Sequence, residues 1–271
     1  MAAYDAALAT YWPAHKTLTI PTRYGETFVV VAGPPDAPPL VLLHGAGSNS
    51  AVWAGDAAAY TPYFRVYAVD LIGEPGKSAP ARPPWEGPAF AEWLADVLNG
   101  LGLPRVVLVG TSQGGWTALK FAVAWPERVE RLILLAPGGV VKDRSSFLLR
   151  AVGLSMLGSR GTEKLKRLVL GNTEIPAELD EYLTLIMTEF KPRIGALPIF
   201  SDEELARLTM PVLLIGGDRD VIRDEAAIAA RLKELAPDVR AVILPGVGHT
   251  LTETTIYTLE FLGVTQAIPP A

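Results

Sequence analysis

The sequence predicts an α/β fold: a doubly wound, mostly parallel sheet of about eight strands with a helical segment inserted between two of them. Three observations carry that prediction. Short β-branched apolar runs recur along the chain, most of them are apolar at every position, and from residue 40 onward they alternate with helical patterns. Strands that are apolar throughout belong in a sheet covered on both faces. Strand–helix alternation implies right-handed crossovers between parallel strands.

The first two runs, TLTI at 17–20 and TFVVVA at 27–32, are joined by PTRYGE and read as an antiparallel hairpin at the sheet edge. The next three are LVLLHG at 40–45, RVYAVD at 65–70 and RVVLVG at 105–110. The last three are RLILLAP at 131–137, PVLLIGG at 211–217 and RAVILPG at 240–246. Helical patterns fall between them, among them PAFAEWLADVLNGLG at 88–102, GGWTALKFAVAWP at 114–126 and EAAIAARLKEL at 225–235. Residues 138–200 break the rhythm. They contain no such strand but do contain helical segments, SSFLLRAVGLSML and PAELDEYLTLIMTEF. A loop that long without structure is unusual in a compact domain, and the stretch is too apolar for a disordered linker. It is expected to form a helical cap, inserted into a core built from residues 1–137 and 201–271.

Composition narrows the function classes. In 271 residues, 49% are hydrophobic and 20% charged, as in a folded soluble enzyme. A formal net charge of −5 with no run of Lys or Arg argues against nucleic acid or an anionic membrane as partner. The absence of cysteine excludes disulfides, thiolate catalysis and cysteine-ligated metal sites. Neither a metal nor a cofactor is expected. No run reaches the roughly 18 apolar residues of a membrane span. The opening MAAYDAALATYWPAHK lacks a basic segment followed by an apolar one, so a cytoplasmic protein is expected. The oligomeric state is left open.

In such a sheet, ligands bind beyond the carboxyl ends of the strands. Ser112 stands two residues past the run 105–110, within Gly-x-Ser-x-Gly (GTSQG, 110–114), where a strand gives way to a helix. That context is what a nucleophilic serine on a sharp turn requires. A serine hydroxyl needs a base, and the chain has three histidines. His15 lies ahead of the sheet and reads as a surface residue. His44 closes a strand and reads as a loop-shaping residue. His249 follows the last strand and is the best base, left free because Thr250 and Glu253 form a Thr-x-x-Glu capping pattern for the next helix. An imidazole base works best with a carboxylate partner. Asp218, Asp220 and Asp224 follow the strand at 211–217. Asp224 suits a helix cap, and Asp220 is slightly favoured over Asp218. Two backbone N–H groups complete the set as an oxyanion hole: that of Gln113, after the nucleophile, and that of Ala46 in HGAGS. The side chain of Gln113 is expected to be incidental.

LVLLHGAGSNSAVW, FRVYAVDLIGEPGKS, LVGTSQGGW, PVLLIGGDRDVI and GVGHT occur in one order, with Ser, Asp and His following one another. On these motifs the chain resembles the α/β-hydrolase fold superfamily over nearly its whole length. The resemblance implies that Asp220, three residues after Gly217, is the acid, that residues 138–200 cap the active site, and that Asp70 is structural. Members that open epoxides or remove halide carry aspartate at the nucleophile position, so Ser112 argues against both activities. The expected reaction is cofactor-free hydrolysis of a small-molecule carboxylic ester. Thioesters, lactones and amides stay open, as does a non-catalytic binding role. Carbon–carbon hydrolysis of a vinylogous keto acid is also open; it would need a cation for the substrate carboxylate, for which Arg144, Arg150, Lys191 and Arg193 are candidates. Trp53, Trp116 and Phe147 are candidates to line an apolar pocket and read equally well as core.

Overall fold

The computed structural model describes residues 1–171, 177–193 and 195–264. The stretches 172–176 and 265–271, together with residue 194, lie outside them. They take with them small parts of the expected cap, of its second helical segment and of the carboxyl-terminal core.

Eight strands form one sheet: β1 (His15–Thr22), β2 (Gly25–Ala32), β3 (Pro39–Leu43), β4 (Arg65–Val69), β5 (Val106–Thr111), β6 (Val129–Leu135), β7 (Val212–Gly217) and β8 (Val239–Leu244). Their order is β1-β2-β4-β3-β5-β6-β7-β8. β1 pairs antiparallel with β2, as does β2 with β4, and every other pairing is parallel. Successive side chains of a strand face opposite layers. In β3, Val41 and Leu43 accordingly enter one core with Val69, Leu108, Leu134 and Leu214, while Leu40 and Leu42 enter the other with Ala68, Val109, Ile133 and Ile215. Both layers are dry, so whole runs are apolar rather than alternating.

The helices are α1 (Ala2–Tyr11), α2 (Ala54–Tyr60), α3 (Ala89–Gly100), α4 (Gln113–Ala124), α5 (Ser145–Ser155), α6 (Gly158–Leu170), α7 (Ala177–Glu189), α8 (Asp202–Leu205), α9 (Glu225–Leu235) and α10 (Thr254–Phe261). α3, α4 and α9 supply one core, with Trp93, Trp116 and Leu232 among the buried residues. α1, α2 and α10 supply the other, with Tyr4, Tyr60 and Leu259. α5, α6 and α7 lie between β6 and β7 in the chain. Lys166 of α6 is held by Asp180 of α7 at 2.7 Å and by Thr184 at 2.8 Å. Tyr182 and Ile186 of α7 are buried against the second core.

Two sequence expectations change here. His15 is not ahead of the sheet but is the first residue of β1, with Nδ1 2.9 Å from the Pro13 carbonyl oxygen. The Thr250/Glu253 capping box does not form. α10 starts at Thr254, Glu253 sits in the left-handed region at φ 59 with no side-chain cap, and the Thr250 hydroxyl donates instead to the Val169 carbonyl at 3.2 Å.

Candidate active site

Ser112 is placed by a strained turn between β5 and α4. Its φ of 51° and ψ of −111° are unusual for a residue with a side chain, a conformation that costs about 1–3 kcal/mol and must be held by its surroundings. The holding is visible. The Ser112 N–H donates to the Leu135 carbonyl at 2.9 Å, while its own carbonyl accepts from Trp116 N at 3.0 Å and Gly138 N at 3.0 Å. The two motif glycines are steric necessities. A Cβ on Gly110 would lie 2.5 Å from the Gly114 carbonyl oxygen, and one on Gly114 would collide with the Leu43 carbonyl oxygen.

His249, on the loop after β8, reaches over the sheet edge to Ser112. Its Nε2 lies 3.2 Å from Ser112 Oγ and its Nδ1 2.7 Å from Asp220 Oδ2. The other Asp220 oxygen accepts the N–H groups of Ile222 at 2.6 Å and Arg223 at 3.1 Å. Burial alone would raise the Asp220 pKa, but the His249 ring and these two N–H groups outweigh it and leave it below the ordinary carboxylate range. A carboxylate at Nδ1 favours the tautomer with Nδ1 protonated, leaving Nε2 as the acceptor facing the serine. Asp218 points elsewhere, accepting Gly246 N at 2.7 Å on the surface. Asp224 caps α9 by accepting from Ala227 N at 3.1 Å.

The Ala46 and Gln113 N–H groups have no acceptor among the described residues. Glu74, from the loop after β4, is bonded to the neighbour of the first and to the side chain of the second. Its carboxylate accepts the Gly47 N–H at 2.7 Å and the Gln113 side-chain amide at 3.1 Å. Through Glu74 the Gln113 side chain links the start of α4 to the 45–47 loop. Burial raises the Glu74 pKa; the bonds from Gly47 and Gln113 and the charge of Arg82 oppose that rise. Below this loop His44 is fully buried. It accepts the Leu71 N–H on Nε2 at 2.8 Å, so Nδ1 donates to the Gly45 carbonyl at 2.8 Å. Its pKa is lowered by burial, against the charge of Asp70, which suits this neutral, loop-shaping role. Asp70 is a buried structural hub: Oδ1 accepts from Tyr4 Oη, Ser50 N and Ser50 Oγ, and Oδ2 from Lys77 N.

Two further titratable residues adjoin Ser112 or Asp220. Arg223 directs Nε to Asp143 Oδ1 at 2.7 Å and Nη1 to Ser112 Oγ at 3.3 Å. Glu225 is buried with both carboxyl oxygens unpartnered among the described residues, and a Cβ on Gly216 would collide with it. Its pKa is pushed up to about 9, first by burial and then by the charge of Asp220. None of Glu74, Arg223 and Glu225 was singled out from sequence. Their one shared signal is position just beyond β4 or β7, at the carboxyl edge of the sheet.

Other candidates are not brought to Ser112. Trp116 is wholly buried, packed edge-on to Phe90 at 5.2 Å and donating to the Pro198 carbonyl, so it is core rather than pocket wall. Trp53 likewise packs into the second core. Phe147 is half-buried on α5. Arg144 donates to the Arg223 carbonyl at 3.1 Å, Arg193 stacks over Trp85, and Arg150 and Lys191 are exposed. Among the described residues, no three His, Cys, Asp or Glu side chains cluster so as to hold a metal ion. No described helix is long and apolar enough to cross a membrane.

With its sheet order, serine turn and histidine–aspartate pair, the chain belongs to the alpha/beta hydrolase family, whose sequence profile matches residues 40–255. It is similar to the carboxylesterase YbfK of Bacillus subtilis (strain 168), 33% identical over 259 residues that cover 92% of this chain and 87% of that protein. Among solved structures it resembles carboxylesterase CesB (YbfK) from Bacillus subtilis, with a TM-score of 0.85, 31% identity, and coverage of 97% of this chain and 95% of that one. It also resembles the naproxen esterase (carboxylesterase NP) from Bacillus subtilis, with a TM-score of 0.85, 32% identity and the same coverages.

Proposed function

We propose that this chain is a serine hydrolase that cleaves carboxylic esters of small or medium apolar substrates through an acyl-enzyme. The observation that carries the reading is the His249 ring, 2.7 Å from Asp220 on one side and 3.2 Å from Ser112 Oγ on the other. Likeness to bacterial carboxylesterases supports the ester as substrate class.

Ser112 Oγ attacks the ester carbonyl while His249 Nε2 takes its proton, and Asp220 stabilises the imidazolium that forms. Charge moves to the carbonyl oxygen, where the Ala46 and Gln113 N–H groups receive it. As the intermediate collapses, His249 returns the proton to the departing alkoxide and an alcohol leaves. Water then repeats the sequence on the acyl-enzyme, releasing the carboxylic acid and restoring Ser112. Helices α5 to α7 act as a cap that sets which acyl and alcohol groups enter.

A fluorophosphonate probe and a panel of aryl esters test the reading, with Ser112→Ala as control. Labelling and turnover are expected in the wild type and absent in the variant; a wild type that does neither removes the serine-hydrolase reading.

A further inference from the structure

Arg223 is a cation with only 5% of its side chain exposed, and it borders Ser112. Its donors are unevenly used. Nε is taken by Asp143 at 2.7 Å, and Nη1 is shared between the Ala136 carbonyl at 3.2 Å and Ser112 Oγ at 3.3 Å. Nη2, with two N–H bonds, has no acceptor among the described residues. Gly138 lets Leu197 pack close beside it: a Cβ on Gly138 would lie 3.4 Å from Nη2 and only 2.6 Å from Leu197 Cδ1. Nη2 is not sealed from solvent, so water can serve it in the free enzyme and an oxygen of a bound substrate can take that place.

In the acyl-enzyme, the acyl carbon is bonded to the same Oγ that Nη1 touches. Nη2 shares its carbon with Nη1, so its hydrogens lie within reach of an atom one or two bonds from the acyl carbon. Asp143 balances the charge of the guanidinium, and the Arg223 backbone N–H already serves Asp220. The donor therefore suits an uncharged oxygen better than a carboxylate.

Resting on the ester-hydrolase reading above, we propose that Arg223 is a specificity-determining residue whose Nη2 donates to an oxygen on the acyl chain next to the scissile carbonyl. The site then favours esters of 2-alkoxy or 2-oxo acids over their all-carbon counterparts. A hydrogen bond from a charged donor corresponds to a preference of about tenfold or more.

The test compares phenyl methoxyacetate with phenyl butyrate, which differ by one oxygen in place of one methylene. Each kcat/KM is divided by the rate of alkaline hydrolysis of that ester, and the ratio of the two is read in wild type, Arg223→Met and Arg223→Lys. A ratio within one preparation does not depend on how much of a variant folds, so lost yield cannot mimic lost selectivity. The ratio is expected to fall about tenfold in Arg223→Met and less in Arg223→Lys. An unchanged ratio in Arg223→Met overturns the proposal. So does a wild type that prefers phenyl hydrogen succinate to the methoxyacetate, since that would mark a carboxylate site. Failure of the underlying reading looks different: neither ester is turned over and no fluorophosphonate is bound.

Discussion

Glu225 offers a sharp test of the electrostatics behind the site. It opens α9 directly behind Asp220, is 2% exposed, and has no partner for either oxygen among the described residues. Burial, and then the like charges of Asp220 and Asp224 against the opposing charge of Arg223, push its pKa up to about 9 from an ordinary 4.5. The folded state thus holds a proton that the unfolded chain releases above pH 4.5. Where the folded state binds more protons, stability falls as pH rises, here from 4.5 until the folded group itself ionises near 9. Each pH unit in that window costs about 1.4 kcal/mol. Between pH 5 and pH 8 this one group removes on the order of 4 kcal/mol.

Glu225→Gln carries a neutral amide of the same shape at every pH and escapes that loss. Relative to wild type, the variant should gain on the order of 4 kcal/mol between pH 5 and pH 8, or roughly 10 °C in Tm for a chain of this size. Thermal or urea unfolding of both proteins at pH 5, 6.5 and 8 measures it. Two stability profiles that run parallel across this range would refute the reasoning, since they would mean that Glu225 is ionised in the folded protein.

Three further outcomes follow from the geometry. Asp220→Asn should lower kcat on the order of 10⁴-fold, while Asp218→Asn, whose carboxylate only accepts Gly246 N on the surface, should stay within a few-fold of wild type; steady-state kinetics of both decides it. Glu74→Ala should lower kcat by roughly tenfold to a hundredfold with little change in KM, because it releases the 45–47 loop from Gln113 and blurs the oxyanion donors. Glu74→Gln keeps an acceptor for Gly47 and should recover most of the loss, and Gln113→Ala should fall between the two. Gly114→Ala drives a methyl into the Leu43 carbonyl, so soluble yield and the unfolding transition should both collapse.

The sheet was legible because its inner strands are covered on both faces, which turns whole runs apolar, while the edge strands β1 and β8 are only partly covered. The order of Ser112, Asp220 and His249 was legible because each follows a strand in chain order. α1 left no comparable signal: Tyr4 and Leu8 bury one turn of an otherwise alanine-rich segment, and the Tyr4 bond to Asp70 is a contact across 66 residues. The capping pattern at Thr250 and Glu253 misled for a similar reason, since Thr250 is drawn to Val169 in α6 rather than to its own helix. In sequence, Glu74 and Arg223 look like ordinary solvated loop residues and Glu225 like the solvated first residue of a helix. What surrounds Glu74 and Arg223 is distant in sequence, Gly47 and Gln113 for the one and Asp143 and Ser112 for the other, which no local pattern records.

The loop at 217–224 is fastened at both ends, and that fastening explains why Asp220 rather than Asp218 faces the histidine. Arg219 N donates to the Val247 carbonyl at 2.9 Å and Asp218 N to the Leu244 carbonyl at 3.1 Å, which fixes the first turn of the loop to the chain leading into His249. Asp218 is thereby turned to the outside. Asp220, two residues on, folds inward and fastens the rest of the loop by accepting from Ile222 and Arg223. The far end of the loop is bound to the start of the inserted segment through Arg144 N to the Ile222 carbonyl at 2.7 Å and through the Arg223–Asp143 ion pair. One short loop therefore carries the carboxylate that orients His249, the guanidinium that touches Ser112, and the attachment of the helices between β6 and β7. A substitution at Asp143 or Arg144, though outside the Ser112–His249–Asp220 set, acts on the same hydrogen bonds that hold Asp220 in place. Changes in acyl selectivity and changes in kcat should therefore travel together when this joint is altered, and separate when α5 to α7 are altered farther from it.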